Sequence, residues 1–115
     1  MALWPELSLV AGDAVAAALR VAAGVASELS HPNDVLVEGR KVAGILPEAT
    51  AGRVVLGIGV NVNQRAEELP LDTPKPPVSL RVATGREWTR APLLAAILLG
   101  LERGYDDWQR LHTNR

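Results

Sequence analysis

Residues 32–63, PNDVLVEGRKVAGILPEATAGRVVLGIGVNVN, decide the fold of this chain. They contain three β-rich runs, 34–38, 41–49 and 53–63, separated by turns at Gly39-Arg40 and at Thr50-Ala51-Gly52. Connections this short can only reverse the chain, so the three runs are expected to pair antiparallel. Pro47 has no N–H to give to a ladder, and its end of the middle strand is expected at an edge or a bulge. If 41–49 and 53–63 form a hairpin around Ala51, Lys41 falls near Asn61, and Gly44 falls near Gly57 or Gly59.

Outward from this block, residues 6–23 read as a helix. Leu9, Ala16, Leu19 and Ala23 form its apolar stripe, Asp13 and Arg20 lie elsewhere on its surface, Pro5 suits its first turn and Gly24 stops it. On the C-terminal side, 64–78 carries Pro70, Pro74, Pro76 and Pro77 among charges and reads as a surface loop. VSLRVATG, 78–85, reads as a short extended piece. Thr89 is the expected N-cap of a last helix, with Pro92 tolerated in its first turn. Leu94, Ile97, Leu98, Leu101, Tyr105 and Trp108 are its expected buried face, and Gly100 and Gly104 each cost it about 1 kcal/mol relative to Ala. The outline is helix, three-stranded meander, loop, helix: an α+β domain with an antiparallel or mixed sheet backed by helices.

The 115 residues suffice for one domain with one core, 1–115. Hydrophobic content of 48% with 22% charge fits a globular chain. A net charge of −1 gives no footprint for nucleic acid or an anionic membrane, so any anionic ligand must be held by local groups. The chain has no Cys, which removes disulfides, thiolate metal sites and a thiol nucleophile, and fits a reducing cytoplasm. No apolar run approaches the roughly 20 residues of a membrane span, and no secretory signal is expected.

The chemistry-bearing residues are concentrated in the same block. Gly57 and Gly59 share one face of their strand and leave it bare, and Asn61 and Asn63 continue that face. A bare backbone with carboxamides suits a flat heterocycle, since the ligand can approach closely and Asn both donates and accepts. The competing reading is that these glycines admit the Ala-rich helix. Lys41 could be an ordinary solvated edge charge. Beside Gly44 and Asn61, however, it would form a patch suited to a phosphate or a carboxylate. Asn33 and Asp34 after Pro32 are turn chemistry. His31 has no second ligand at metal spacing, and His112 stands near the terminus, so no metal site is expected.

PNDVLVEGRKVAGIL, VVLGIGVNVN, VSL and LLAAILLGLERGY, in this order and preceded by LSLVAGDAVAAAL, resemble the latter part of the catalytic domain of bacterial biotin–protein ligases (biotin–[acetyl-CoA-carboxylase] ligases). The resemblance implies a class II aminoacyl-tRNA synthetase-like fold. It implies biotin and ATP as substrates with magnesium accompanying ATP, a biotinyl-5′-adenylate intermediate, and transfer to a lysine on the acceptor domain of a biotin-dependent carboxylase. On this sequence it makes Lys41 the lysine between the biotin carboxylate and the α-phosphate, and Gly44 a backbone contact for biotin. Gly57, Gly59 and Asn61 would hold adenine, and Asn33 and Asp34 would lie beside the nucleotide. The chain departs from the family at Ser30-His31, where Lys-Trp usually precedes Pro-Asn-Asp, so a cation and an aromatic are lost. Pro47 falls in a strand that pairs dimers in some members. The family's Gly/Arg-rich biotin loop, C-terminal barrel and N-terminal helix-turn-helix have no counterpart in these residues. Weak or absent ligase activity by the chain alone is therefore expected. The alternative is a non-catalytic module of the same fold that binds nucleotide weakly, or a partner or itself through exposed sheet edges. A lipoyl or octanoyl transferase of the same superfamily fits less well, because thiol-intermediate members need Cys and GIGVNVN favours biotin.

Overall fold

A computed structural model describes residues 4–113 except Pro32; the Pro32 position of the Pro-Asn-Asp turn thus lies outside the described residues. The order is α1 (Trp4–Ala23), β1 (Ser27–Ser30), β2 (Asp34–Val37), β3 (Arg40–Thr50), β4 (Arg53–Val60), a 3-10 turn (Ala66–Glu68), α2 (Leu80–Thr84) and α3 (Arg90–Thr113). The strands form one antiparallel sheet in the order β1-β2-β3-β4.

Two tight hairpins fix the register. Glu38 and Gly39 turn β2 into β3, and Ala51 and Gly52 turn β3 into β4, all four with positive φ. Two consecutive left-handed residues give the mirror-image turn whose twist matches that of paired strands, and a glycine in the second position makes it accessible. The first turn is therefore Glu38-Gly39 rather than Gly39-Arg40. Thr50 then faces Arg53, and Gly44 faces Gly59. Pro47 lies in the half of β3 that pairs with β4 but extends beyond the register with β2.

Helix α1 covers one face of the sheet. Its small residues allow close approach, and Ala11, Val15, Ala16, Ala18 and Leu19 join Val35, Val37, Val42, Ala43 and Ile45 in the core. Leu9, expected in the buried stripe, is instead exposed. Arg20 and the Ser27 hydroxyl tie the end of α1 to β1: Arg20 donates to the Ser27 carbonyl and Ser27 Oγ to the Ala16 carbonyl. Helix α3 packs on the outer side of α1 along Gly100 and Gly104. A Cβ on Gly100 would meet that of Ala14 at 3.3 Å, and one on Gly104 would meet Val10 Cγ1 at 2.9 Å. The propensity cost of the two glycines is thus the condition for the helix contact. Leu93 and Ile97 carry the buried face of α3, whereas Leu94 and Leu98 are exposed. His112 lies near the terminus but is engaged there. Its Nε2 is 3.0 Å from Glu6 Oε1 and its Nδ1 is 2.8 Å from the Trp108 carbonyl oxygen.

Three elements differ from the sequence expectation, the first being β1, which adds a fourth strand ahead of the expected meander. VSLRVATG is not extended: Ser79 caps α2 by accepting from the Val82 N–H, and Gly85 closes it in the left-handed conformation. The third expected strand stops at Val60 rather than 63. From there Asn61 and Val62 accept backbone bonds from Leu80 and Arg81, and the Asn63 carboxamide donates to the Trp88 carbonyl and accepts from its N–H.

Candidate functional site

The face of the sheet turned away from α1 carries the candidate residues. On β4, Leu56, Ile58 and Val60 pack against the core, while Gly57 and Gly59 are exposed on the opposite side. No atom lies within 4 Å of the position a Gly59 Cβ would take, and for Gly57 the near atoms are those of Leu46. The glycines therefore do not serve to admit helix α1. They leave bare backbone on the open face.

Lys41 and Gly44 share that face although they are three residues apart, a spacing that puts regular strand residues on opposite sides. A β-bulge explains it. Val35 faces Ala43 and Leu36 faces Lys41, so Val42 is the extra residue, and Val42 and Ala43 are both buried. The bulge brings the Lys41 side chain across Gly44, whose absent Cβ would lie 3.1 Å from Lys41 Cε and 3.2 Å from Nζ. Lys41 is no loose edge residue. Its N–H donates to the Pro76 carbonyl and its carbonyl accepts from Val78, each at 2.8 Å, so the proline loop clasps the start of β3.

Asp34, Gly44 and Gly59 form a row across β2, β3 and β4. Asp34 Oδ1 is 3.1 Å from Lys41 Nζ, and Oδ2 is 2.6 Å from Lys75 Nζ. Burial pushes the Asp34 carboxyl up, but hydrogen bonds and charge from Lys75 and Lys41 outweigh it and hold the group below its ordinary value. The Asn61 carboxamide donates to the Val78 carbonyl at 3.2 Å and accepts from Gln64 Nε2 at 3.3 Å, which fixes its orientation beside Lys41.

Two hollows meet at Asp34, Lys41 and Asn61. One, of about 330 Å³, is walled by Pro70, Thr73, Pro74, Lys75 and Pro77. The other, of about 570 Å³, has Gly44 and Gly59 among its floor residues and Gln64 at its rim. Of the residues singled out in the sequence, Lys41, Gly44, Asp34, Gly59 and Asn61 come together here. Gly57 stands beyond the hollows, opposite Leu46. Asn33 lies elsewhere too. It lines a smaller cavity of about 110 Å³, which shares Asp34 with the two hollows, together with Ser8, Gly12 and Leu29 among others, and its carbonyl accepts from Ile45. Lys75 and Gln64 were missed. Gln64 directly follows the Asn-Val-Asn run, whereas nothing local marks Lys75.

Asp34 is the one carboxylate lining either hollow among the described residues, and both of its oxygens are held by ammonium groups. The site therefore offers Mg²⁺ no free carboxylate ligand. What it does offer is a cation with unused donors, a rigid carboxamide and bare strand backbone, a set suited to an anionic group joined to a flat ring system.

The sequence matches the Biotin/lipoate A/B protein ligase family over residues 6–64. It is 38% identical over 109 residues to the bifunctional ligase/repressor BirA of Bacillus subtilis, covering 90% of this chain and 34% of that protein. Identity to the biotin–[acetyl-CoA-carboxylase] ligase of Mycobacterium tuberculosis is 47% over 72 residues, 60% of this chain and 27% of that one. The fold is similar to the biotin protein ligase of Aquifex aeolicus in complex with biotin and ATP, with a TM-score of 0.84 and 32% identity, over 92% of this chain and 45% of that one. The chain thus spans about a third of the length of its Bacillus relative. The architecture is the class II aminoacyl-tRNA synthetase-like one of these ligases.

Proposed function

This chain belongs to the Biotin/lipoate A/B protein ligase family, and from that premise we propose that its open sheet face binds biotin and ATP for the formation of biotinyl-5′-adenylate. The observation that carries the proposal is the position of Lys41 where the two hollows join. Two substrates that must react with each other need adjoining sites, and both bring negative charge to the junction. A carboxylate oxygen of biotin attacks the α-phosphorus of ATP. The new P–O bond forms as the bond to the β-phosphate oxygen breaks, and pyrophosphate leaves. The Lys41 ammonium offsets the repulsion between the two anions and the charge that builds on the phosphoryl oxygens. In the second step the ε-amine of an acceptor lysine attacks the activated carbonyl, an amide forms, and AMP leaves as the amine loses its proton.

Gly44 gives biotin close access to β3. Asn61, held by Val78 and Gln64, reads the adenine edge over Gly59, and Gly57 extends the same bare strip. Asn33 and Asp34 order the turn beside the nucleotide, Asp34 by direct contact with Lys41. Magnesium enters, on this reading, bound to ATP rather than to a carboxylate of the chain. The acceptor is the biotin domain of a biotin-dependent carboxylase. A cytoplasmic location fits a chain without Cys, and among the described residues no helix is long and apolar enough to cross a membrane.

Calorimetric titration with biotin, and with ATP in the presence of biotin, tests the proposal. Lys41→Ala should weaken binding by about a hundredfold, the scale of losing a charge-assisted contact to each substrate. Wild-type affinity in the variant would overturn the assignment. One observation favours a second reading, an interaction module that pairs through its sheet edge: on β4, Val54 and Val55 are 39% and 58% exposed beside Leu46 at 66%. A sedimentation coefficient independent of concentration would remove it.

A further inference from the structure

Lys75 stands on the loop between β4 and α2, flanked by Pro74 and Pro76. Its ammonium has three acceptors: Asp34 Oδ2 at 2.6 Å, Ser30 Oγ at 3.1 Å and the His31 carbonyl at 3.2 Å. An ammonium has three N–H groups, so these partners occupy all of them. Lys75 lines the hollow, yet it keeps no donor for a ligand. Lys41 is in the opposite position. It touches the other oxygen of the same carboxylate at 3.1 Å with its side chain 42% exposed, and it lines both hollows.

Asp34, Lys41 and Lys75 are the charged residues lining the proline-walled hollow. Two ammonium groups against one carboxylate leave one positive charge there. Without Lys75, Asp34 and Lys41 would close as a neutral pair, and the carboxylate would compete with an incoming anion for the Lys41 donors.

We propose that Lys75 is a positioning residue for ligand binding: by holding Asp34 it keeps the charge and donors of Lys41 available to an anionic substrate. The inference rests on the reading of this face as the biotin and ATP site. Ser30 gives it a second support. Its hydroxyl, at the end of the neighbouring strand β1, is one of the three acceptors of Lys75, so the ammonium is tied to β1 and β2 at once. The cation reaches this turn from a loop 45 residues downstream of Ser30.

The test is a thermodynamic cycle on the full chain, read by calorimetry with ATP in the presence of biotin, with circular dichroism of every variant to confirm folding. Lys75→Met should weaken ATP binding by roughly tenfold, and Lys75→Arg, which keeps the charge, by less than about threefold. In an Asp34→Asn background Lys75→Met should cost clearly less, under about threefold, because the carboxylate through which Lys75 acts is gone and only the loss of its own charge remains. Equal binding by wild type and Lys75→Met would overturn the inference. So would an equal loss in both backgrounds, which would mean direct ligand contact or simple loop anchoring. If the wild type binds neither biotin nor ATP, the reading of the site itself falls, and this inference with it.

Discussion

On β4, Leu56, Ile58 and Val60 turn toward α1 and pack against the core, while Gly57 and Gly59 turn away and expose backbone. The same eight-residue strand therefore serves two faces with opposite demands. The inner face needs volume, and aliphatic side chains fill it. The outer face needs its absence, and glycines leave room that a bulge at Val42 and a proline loop then surround with Lys41, Asp34 and Asn61. Stability and ligand binding should consequently separate by face.

The sharpest way to break that contrast is on the packed side. Leu19 is fully buried between α1 and the sheet, so Leu19→Ala should cost about 2–5 kcal/mol in urea denaturation. A loss below about 1 kcal/mol would show that the inner face is not the core described above. On the open side the expected effect moves from stability to binding. Gly44→Val would put side-chain atoms where Lys41 Cε and Nζ now lie, 3.1 and 3.2 Å from the Cβ position. It should weaken ATP binding at least about tenfold while changing stability by less than about 1 kcal/mol, since a β-branched residue suits a strand. Unchanged ATP affinity in Gly44→Val would detach the bulge from ligand binding.

The smallest expected effect is the pH dependence from Asp34. Its carboxyl is held below the ordinary value of 3.8 in the folded chain. A group depressed in the folded state stabilises it fully above the unfolded pKa, and that contribution disappears as pH falls through the folded value. Stability should therefore decline on the acid side of about pH 4, and Asp34→Asn should flatten that part of the curve. An identical acid limb in wild type and Asp34→Asn would mean that the carboxylate is not held by the two lysines.

The sequence made the long elements legible because their signals are local. Helix α1 shows in its alanine-rich periodicity and Gly24 stop, and β2 to β4 in their β-branched runs and glycine turns. The four residues of β1, SELS, carry no alternation of their own and become a strand by pairing with β2. Helix α2 was hidden by Val78 and Val82, which favour strands, although Ser79 and Gly85 mark both of its ends. In the site, the Lys41 to Gly44 spacing was visible but its cause was not, since the bulge depends on register against β2. Lys75 had no local signal at all. A lysine between prolines reads as a solvated loop, and its role depends on contacts to Asp34 across 41 residues.

The central claim is that the glycine face of the sheet, around Lys41, is where ligand binds. Amide chemical-shift mapping by NMR during titration with biotin and ATP tests it most directly. The account predicts the largest changes at Lys41, Gly44, Gly59 and Asn61, with Lys75 following and α3 unmoved. Changes centred instead on Ser8, Gly12 and Leu29, around the small cavity beside α1, would contradict it.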